Sequence, residues 1–178
     1  QRRILVRDGR IEWLDRIEAS RDVLESFDLS IGTVGRRHRA SFTAAALPGA
    51  WNRLHLAGEF FRPPRSRAAD WTSWAGEAYV GVDQGELGWL RRQPLGEALP
   101  LEAFHGDLKG WLRFDQGRAQ DGLLKMAASE LRWRVAPGER GLLSLSGVSA
   151  ELQARRQAAR YELTVSALRA REAGGLAL

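Results

Sequence analysis

Apolar and polar residues alternate with a period of two along most of this chain, and the elements that such a pattern predicts are β-strands. Ile4 to Val6 and Arg10 to Leu14 read as two short strands on either side of Asp8-Gly9, a pair favoured in two-residue hairpin turns. Phe27, Leu29 and Ile31 alternate with Asp28 and Ser30 as a further strand. A break over residues 32–35 leads into a return strand expected over 37–46, which Leu47-Pro48-Gly49 closes. Leu54, Leu56, Gly58 and Phe60 then alternate with His55, Ala57 and Glu59.

The stretch 61–70 carries Pro63-Pro64 and several arginines, and proline removes ladder donors, so a polar loop is expected there. Ala78, Val80 and Val82 alternate with Glu77, Tyr79 and Gly81 in the next strand. After a loop at 94–100, Phe104, Gly106, Leu108, Gly110, Leu112 and Phe114 mark one face of what reads as the longest strand. Asp115-Gln116-Gly117 turns into a strand at 123–128, and a separate strand follows with Leu131, Trp133 and Val135 on one side. Residues 142–152 and 161–169 pair as a hairpin across a polar turn at 153–160.

Helical periodicity is confined to two short candidates, 20–26 and 86–92. The expected fold is therefore all-β: a curled antiparallel meander, either a β-groove or an open sandwich, with one or two short helical turns. Residues 1–178 form a single sheet segment in this reading. Several of the 19 glycines sit inside strand patterns, where they permit bending and bulges.

Composition narrows the class. Hydrophobic residues make up 44% and charged residues 28%, too apolar a mixture for a disordered tail. No apolar run approaches the roughly 18–20 residues of a membrane-crossing helix. Gln1-Arg2-Arg3-Ile4 runs straight into a strand pattern without the features of a leader, so the chain reads as a soluble piece of a longer protein. Cysteine is absent, which removes disulfides, thiolate metal sites and thiol nucleophiles. Lys109 and Lys125 are the only lysines among 27 basic residues, so arginine dominates a net charge of +5. Arginine grips phosphate in bidentate fashion, and charge alone leaves nucleic acid and anionic lipid headgroups both open.

Candidate chemistry is sparse. His38, His55 and His105 lack ligand-like spacing, no serine sits in a nucleophile-elbow pattern, and Gly32-Thr33-Val34-Gly35 is no phosphate cradle. Asp8, Glu12, Asp107 and Asp115 fall at turns or alternate with apolar residues, as solvated carboxylates do. No catalytic residue, cofactor or metal is expected. Arg36-Arg37-His38-Arg39 would split between two faces of a strand, and the remaining arginines are dispersed, so a nucleic-acid interface is not expected either. Trp13, Trp51, Trp71, Trp74, Trp89, Trp111 and Trp133 fit half-buried packing positions or contacts with lipid chains or sugars.

Taken in order, several segments resemble the conserved middle region of YhdP-like proteins (DUF3971), within the AsmA-like and TamB-like superfamily. They are the opening stretch from Ile4 to Asp15, Gly35-Arg36-Arg37-His38-Arg39, and Leu54-His55-Leu56-Ala57-Gly58-Glu59. Trp74-Ala75-Gly76-Glu77-Ala78-Tyr79-Val80, Gly106 to Leu112 followed by Asp115-Gln116-Gly117-Arg118, and Leu145-Ser146-Gly147 continue the likeness. These are strand and turn motifs, so no functional residue is carried over from the family. The resemblance implies a periplasmic segment of a long envelope protein anchored in the inner membrane of a Gram-negative bacterium. It implies transport of phospholipid between inner and outer membranes along an apolar groove of curled sheet. The candidate groove residues are Phe42, Leu54, Leu56, Phe60, Val80, Val82, Leu108, Leu112 and Phe114, each of which also fits an ordinary sandwich core. The expected partners are phospholipid, neighbouring β-repeats of the same chain and other envelope proteins. Two other readings are a scaffold segment pairing through its sheet edges and a glycan-binding β-sandwich.

Overall fold

A computed structural model describes residues 2–15, 20–64, 71–86, 101–134, 142–158 and 160–172. Among the described residues nine strands form one sheet: β1 (Arg2–Asp15), β2 (Ser20–Val34), β3 (Arg37–Ala44), β4 (Arg53–Phe61), β5 (Ala75–Glu86), β6 (Leu101–Asp115), β7 (Arg118–Arg134), β8 (Leu142–Gln157) and β9 (Arg160–Glu172). Each pairs antiparallel with the next in sequence, so spatial order equals chain order from β1 to β9. The fold is the expected all-β meander, and it is a single open sheet rather than a sandwich. Its one described helical element is a 3-10 turn at Trp71–Ser73.

The departures from expectation share a cause, which is the β-bulge. Asp8-Gly9 closes no hairpin. It lies inside β1, where three steps from Val6 to Gly9 face two from Leu29 to Phe27. Asp8 takes a φ of 50°, and its N–H donates to Asp28 Oδ1 at 3.0 Å instead of to a turn carbonyl. Residues 20–26 are strand, not helix. Ser26, at φ 52°, bulges β2 so that Leu24 and Phe27 enter the same core cluster three residues apart, a spacing that imitates a helix. The second helix candidate, 86–92, begins on the last residue of β5 and otherwise lies outside the described residues.

Gln84 repeats the Asp8 device on β5: φ is 49°, and the N–H donates to Asp107 Oδ1 at 2.9 Å. Gly147 and Ala167 place matching bulges in β8 and β9. Strands expected to be separate run through such irregularities. Residues 123–128 and 131–134 belong to one 17-residue strand, β7, which exceeds the 15 residues of β6, while Val135 lies outside the described residues. Bulges bend strands and raise local twist, and here they recur across the sheet's width.

Two glycines serve contacts that no other residue could. The Phe27 ring occupies the space where a Gly9 side chain would stand. Gly117 closes the tight β6–β7 turn with Gln116, both at positive φ, and its face abuts the Thr72 backbone.

Candidate functional site

The register sets one apolar position of every strand in a continuous row across the sheet. Val6, Leu29, Phe42, Leu56, Val80, Gly110, Leu124, Leu152 and Val165 are successive cross-strand partners. Since paired residues share a face, all nine point the same way. Two residues along each strand lies a second uninterrupted row, which includes Ile31, Ala40, Gly58, Ala78, Leu112 and Gly122. On the other side lies a third, which includes Phe27, Ala44, Leu54, Val82, Leu108 and Met126. Over these three rows no charged residue enters the face.

A cavity of about 720 Å³ runs along this face from Leu29 on β2 to Leu163 on β9, with Phe42, Leu56, Val80, Leu112 and Leu124 among its walls. Its long axis crosses the strands; seven strand spacings of about 4.8 Å make roughly 34 Å.

The groove is not symmetric from rim to rim. Burial concentrates toward the strand ends joined by residues 45–52. Leu24, Phe27 and Ala44 form one cluster there, with Leu47 and Trp51 folded onto it, and Ala44 is 1% exposed. Trp51 Nε1 donates to the Ala45 carbonyl at 3.2 Å, which ties that loop down. Phe104, Ala128 and Val148 form a second cluster toward the same rim, and Phe104 is 4% exposed. The row nearer the opposite rim is open: Leu112 is 43% and Leu163 71% exposed.

At that open rim the aliphatic rows give way to aromatics. His38 stacks on Trp74 with centroids 5.0 Å apart, and Phe60 lies 6.5 Å from Trp74 and 5.8 Å from Phe114. Thr33 Oγ1 and His38 Nδ1 are hydrogen-bonded at 3.1 Å. Beyond them β3 and β4 lead outward to Arg36 and Arg62, while β6 ends in Asp115.

The reverse face is charged. Arg39, Glu59, Glu77, Arg113, Asp121, Arg155 and Glu162 form a row of cross-strand partners. Glu59 accepts Arg37 at 3.0 Å and also pairs with Arg39; Asp121 pairs with Arg113 and, at 3.6 Å, with Arg155. Lys125 meets Glu151 at 2.9 Å. Tyr79 and Trp111 interrupt the charge with rings 5.2 Å apart, and His55 meets Tyr79 edge-on at 5.3 Å.

All nine sequence-derived groove residues stand on the one apolar face. Val82 is buried on the closed side, whereas Leu56 and Leu112 are exposed. Sequence reasoning missed the walls on β2 and β7 to β9, among them Leu29, Leu124, Leu152 and Leu163. The alternation of Leu124, Met126 and Ala128 was the available signal. The basic run splits as expected: Arg37 and Arg39 pair with Glu59 on the charged face, and His38 turns to the apolar one. Among the tryptophans, Trp111 lies on the charged face and Trp74 at the open rim. The side chains of Trp13 and Trp71, and the whole of Trp89, lie outside the described residues. Among the described residues no three His, Asp or Glu side chains gather as a metal-holding group.

The sequence model of the family described as YhdP protein matches residues 1–175. No curated protein and no solved structure matches the chain.

Proposed function

The chain belongs to the YhdP family, and we propose that it is a non-catalytic segment that shields phospholipid acyl chains from water inside its apolar groove. The observation that carries this reading is the set of three uninterrupted apolar rows lining an open cavity of about 720 Å³. A sheet that only needed a core would cover such a surface, because burying apolar area is favourable by about 25 cal/mol per Å². Here Leu112 and Leu163 remain open beside it.

Each CH₂ taken from water into such a groove gains about 0.8 kcal/mol. The gain requires no directional bond, so lipid can move along the rows without breaking specific contacts. In the setting this reading supplies, the parent protein is anchored in the inner membrane, this segment stands in the periplasm, and phospholipid passes between inner and outer membranes.

The test is native mass spectrometry of the purified chain with lipid extraction, together with photocrosslinkers at Leu56, Val80 and Leu112 and controls at His55 and Lys109 on the charged face. Phospholipid that co-purifies and crosslinks only at the groove positions supports the reading. A lipid-free chain with no crosslink at any of the three removes it.

The open edges favour a second, compatible role. Among the described residues β1 and β9 each pair on one side only, and Tyr161, Leu163, Val165 and Leu168 on β9 are exposed. Such edges accept a further strand, from neighbouring repeats or a partner protein, which would lengthen the groove.

A further inference from the structure

We infer that bound lipid is oriented across the groove, with its phosphate along the open, arginine-bearing rim and its acyl chains pointing toward the closed one. This rests on the lipid-groove reading above and adds a polarity to it.

Three observations converge. The first is charge. The strand ends at the open rim carry Arg2, Arg36, Arg62, Arg118, Arg156 and Arg160, with Asp115 as the carboxylate among them. None of these arginines has an ion-pair partner among the described residues: Arg36 lies over the Phe61 ring at 5.2 Å, and Arg156 donates to the Ala158 carbonyl. The opposite rim is mixed, with Arg10, Arg53, Arg132, Arg169 and Arg171 set among Glu25, Asp83, Glu86, Glu102 and Glu130.

The second is the order of side chains along the strands. From the open rim inward come arginine, then Trp74, His38, Phe60 and Phe114, then the aliphatic rows. That is the order of a lipid leaflet, in which basic groups meet phosphate, aromatic rings sit at headgroup level, and aliphatics face the chains. The three rows span two steps of about 6.8 Å along the strand. The sum, about 14 Å, approximates the roughly 15 Å of hydrocarbon in half a bilayer.

The third is access. Leu47, Ala50 and Trp51 fold over the far side, and the two buried clusters fill it. A charged headgroup entering there would be desolvated among buried apolar side chains, which is costly. An acyl tip would not.

The experiment compares binding of phosphatidylglycerol and of a diacylglycerol with the same fluorescent chains to the full 178-residue chain. The phospholipid should bind about fivefold tighter at low salt, an advantage that salt reduces. Combining the exposed-rim substitutions Arg36→Gln, Arg118→Gln and Arg160→Gln should level the two lipids while leaving diacylglycerol affinity unchanged. The opposite-rim pair Arg53→Gln and Arg132→Gln should leave the preference intact, and free glycerol phosphate should not displace either lipid. Equal affinity for the two lipids, a preference that survives the open-rim changes, one abolished by the opposite-rim pair, or displacement by glycerol phosphate each overturns the orientation. Binding of neither lipid removes the groove reading itself.

Discussion

His38 on β3 and Trp74, just before β5, stack with ring planes 12° from parallel and centroids 5.0 Å apart. The two residues flank the strand end that carries Phe60, whose ring reaches Trp74 as well. This contact fastens the entry to β5 against β3 and shapes the open rim of the groove. Trp74→Ala should therefore cost about 2 kcal/mol, below the range for a fully buried Trp because the site is half-buried. Urea denaturation followed by far-UV circular dichroism measures it; a cost under about 0.5 kcal/mol would show the stack to be incidental.

Turn glycines separate strain from crowding. Gly35 and Gly117 both have positive φ, 60° and 65°, yet a Cβ on Gly35 meets nothing within 4 Å, while one on Gly117 runs into the Thr72 backbone. Gly35→Ala should cost about 1 kcal/mol from backbone strain alone. Gly117→Ala should cost at least about 1 kcal/mol more, since the 3-10 turn must move. Thermal unfolding of the two variants side by side checks the order.

Filling the groove should spare the fold. Gly122 lies in the open row, where an added Cβ meets only ordinary contacts, the nearest at 3.6 Å. Gly122→Leu is expected to leave the melting temperature within about 3 °C and to cut fluorescent-lipid binding severalfold. Unchanged binding would mean that lipid does not occupy the stretch between Leu112 and Ala154.

On the charged face, Asp121 draws in both Arg113 and Arg155. Asp121→Asn should lose about 1 kcal/mol at low salt, because two cations lose one anion. Most of that should vanish near 1 M salt, where screening shortens to about 3 Å. Denaturation at two salt concentrations reads it, and a loss independent of salt would assign Asp121 a packing role instead.

Much of the fold was legible in local pattern. Alternation in Leu54 to Phe60 and in Phe104 to Phe114 marked strands because a sheet with one apolar face repeats every two residues. The same alternation put Phe42, Leu56, Val80 and Leu112 on one face once the strands paired. It failed at Asp8-Gly9 and at 20–26, where bulges at Asp8 and Ser26 shift the phase by one residue. A phase shift inside a strand and a turn or helix look alike in sequence, and only the partner strand distinguishes them.

Sequence alone determined that this is an all-β chain, since side-chain period is a local property. Tertiary structure decided where the arginines gather. Arg2, Arg118 and Arg160 are far apart in the chain and belong to the dispersed arginines that read as solvated surface, while Arg36 belongs to the basic run 36–39. The meander reverses direction at every strand, so alternate connections return to the same rim and gather them there. The open and closed sides of the groove were decided in the same way. The fold of 45–52 back onto Phe27 and Ala44 is a long-range packing outcome that no window of sequence contains.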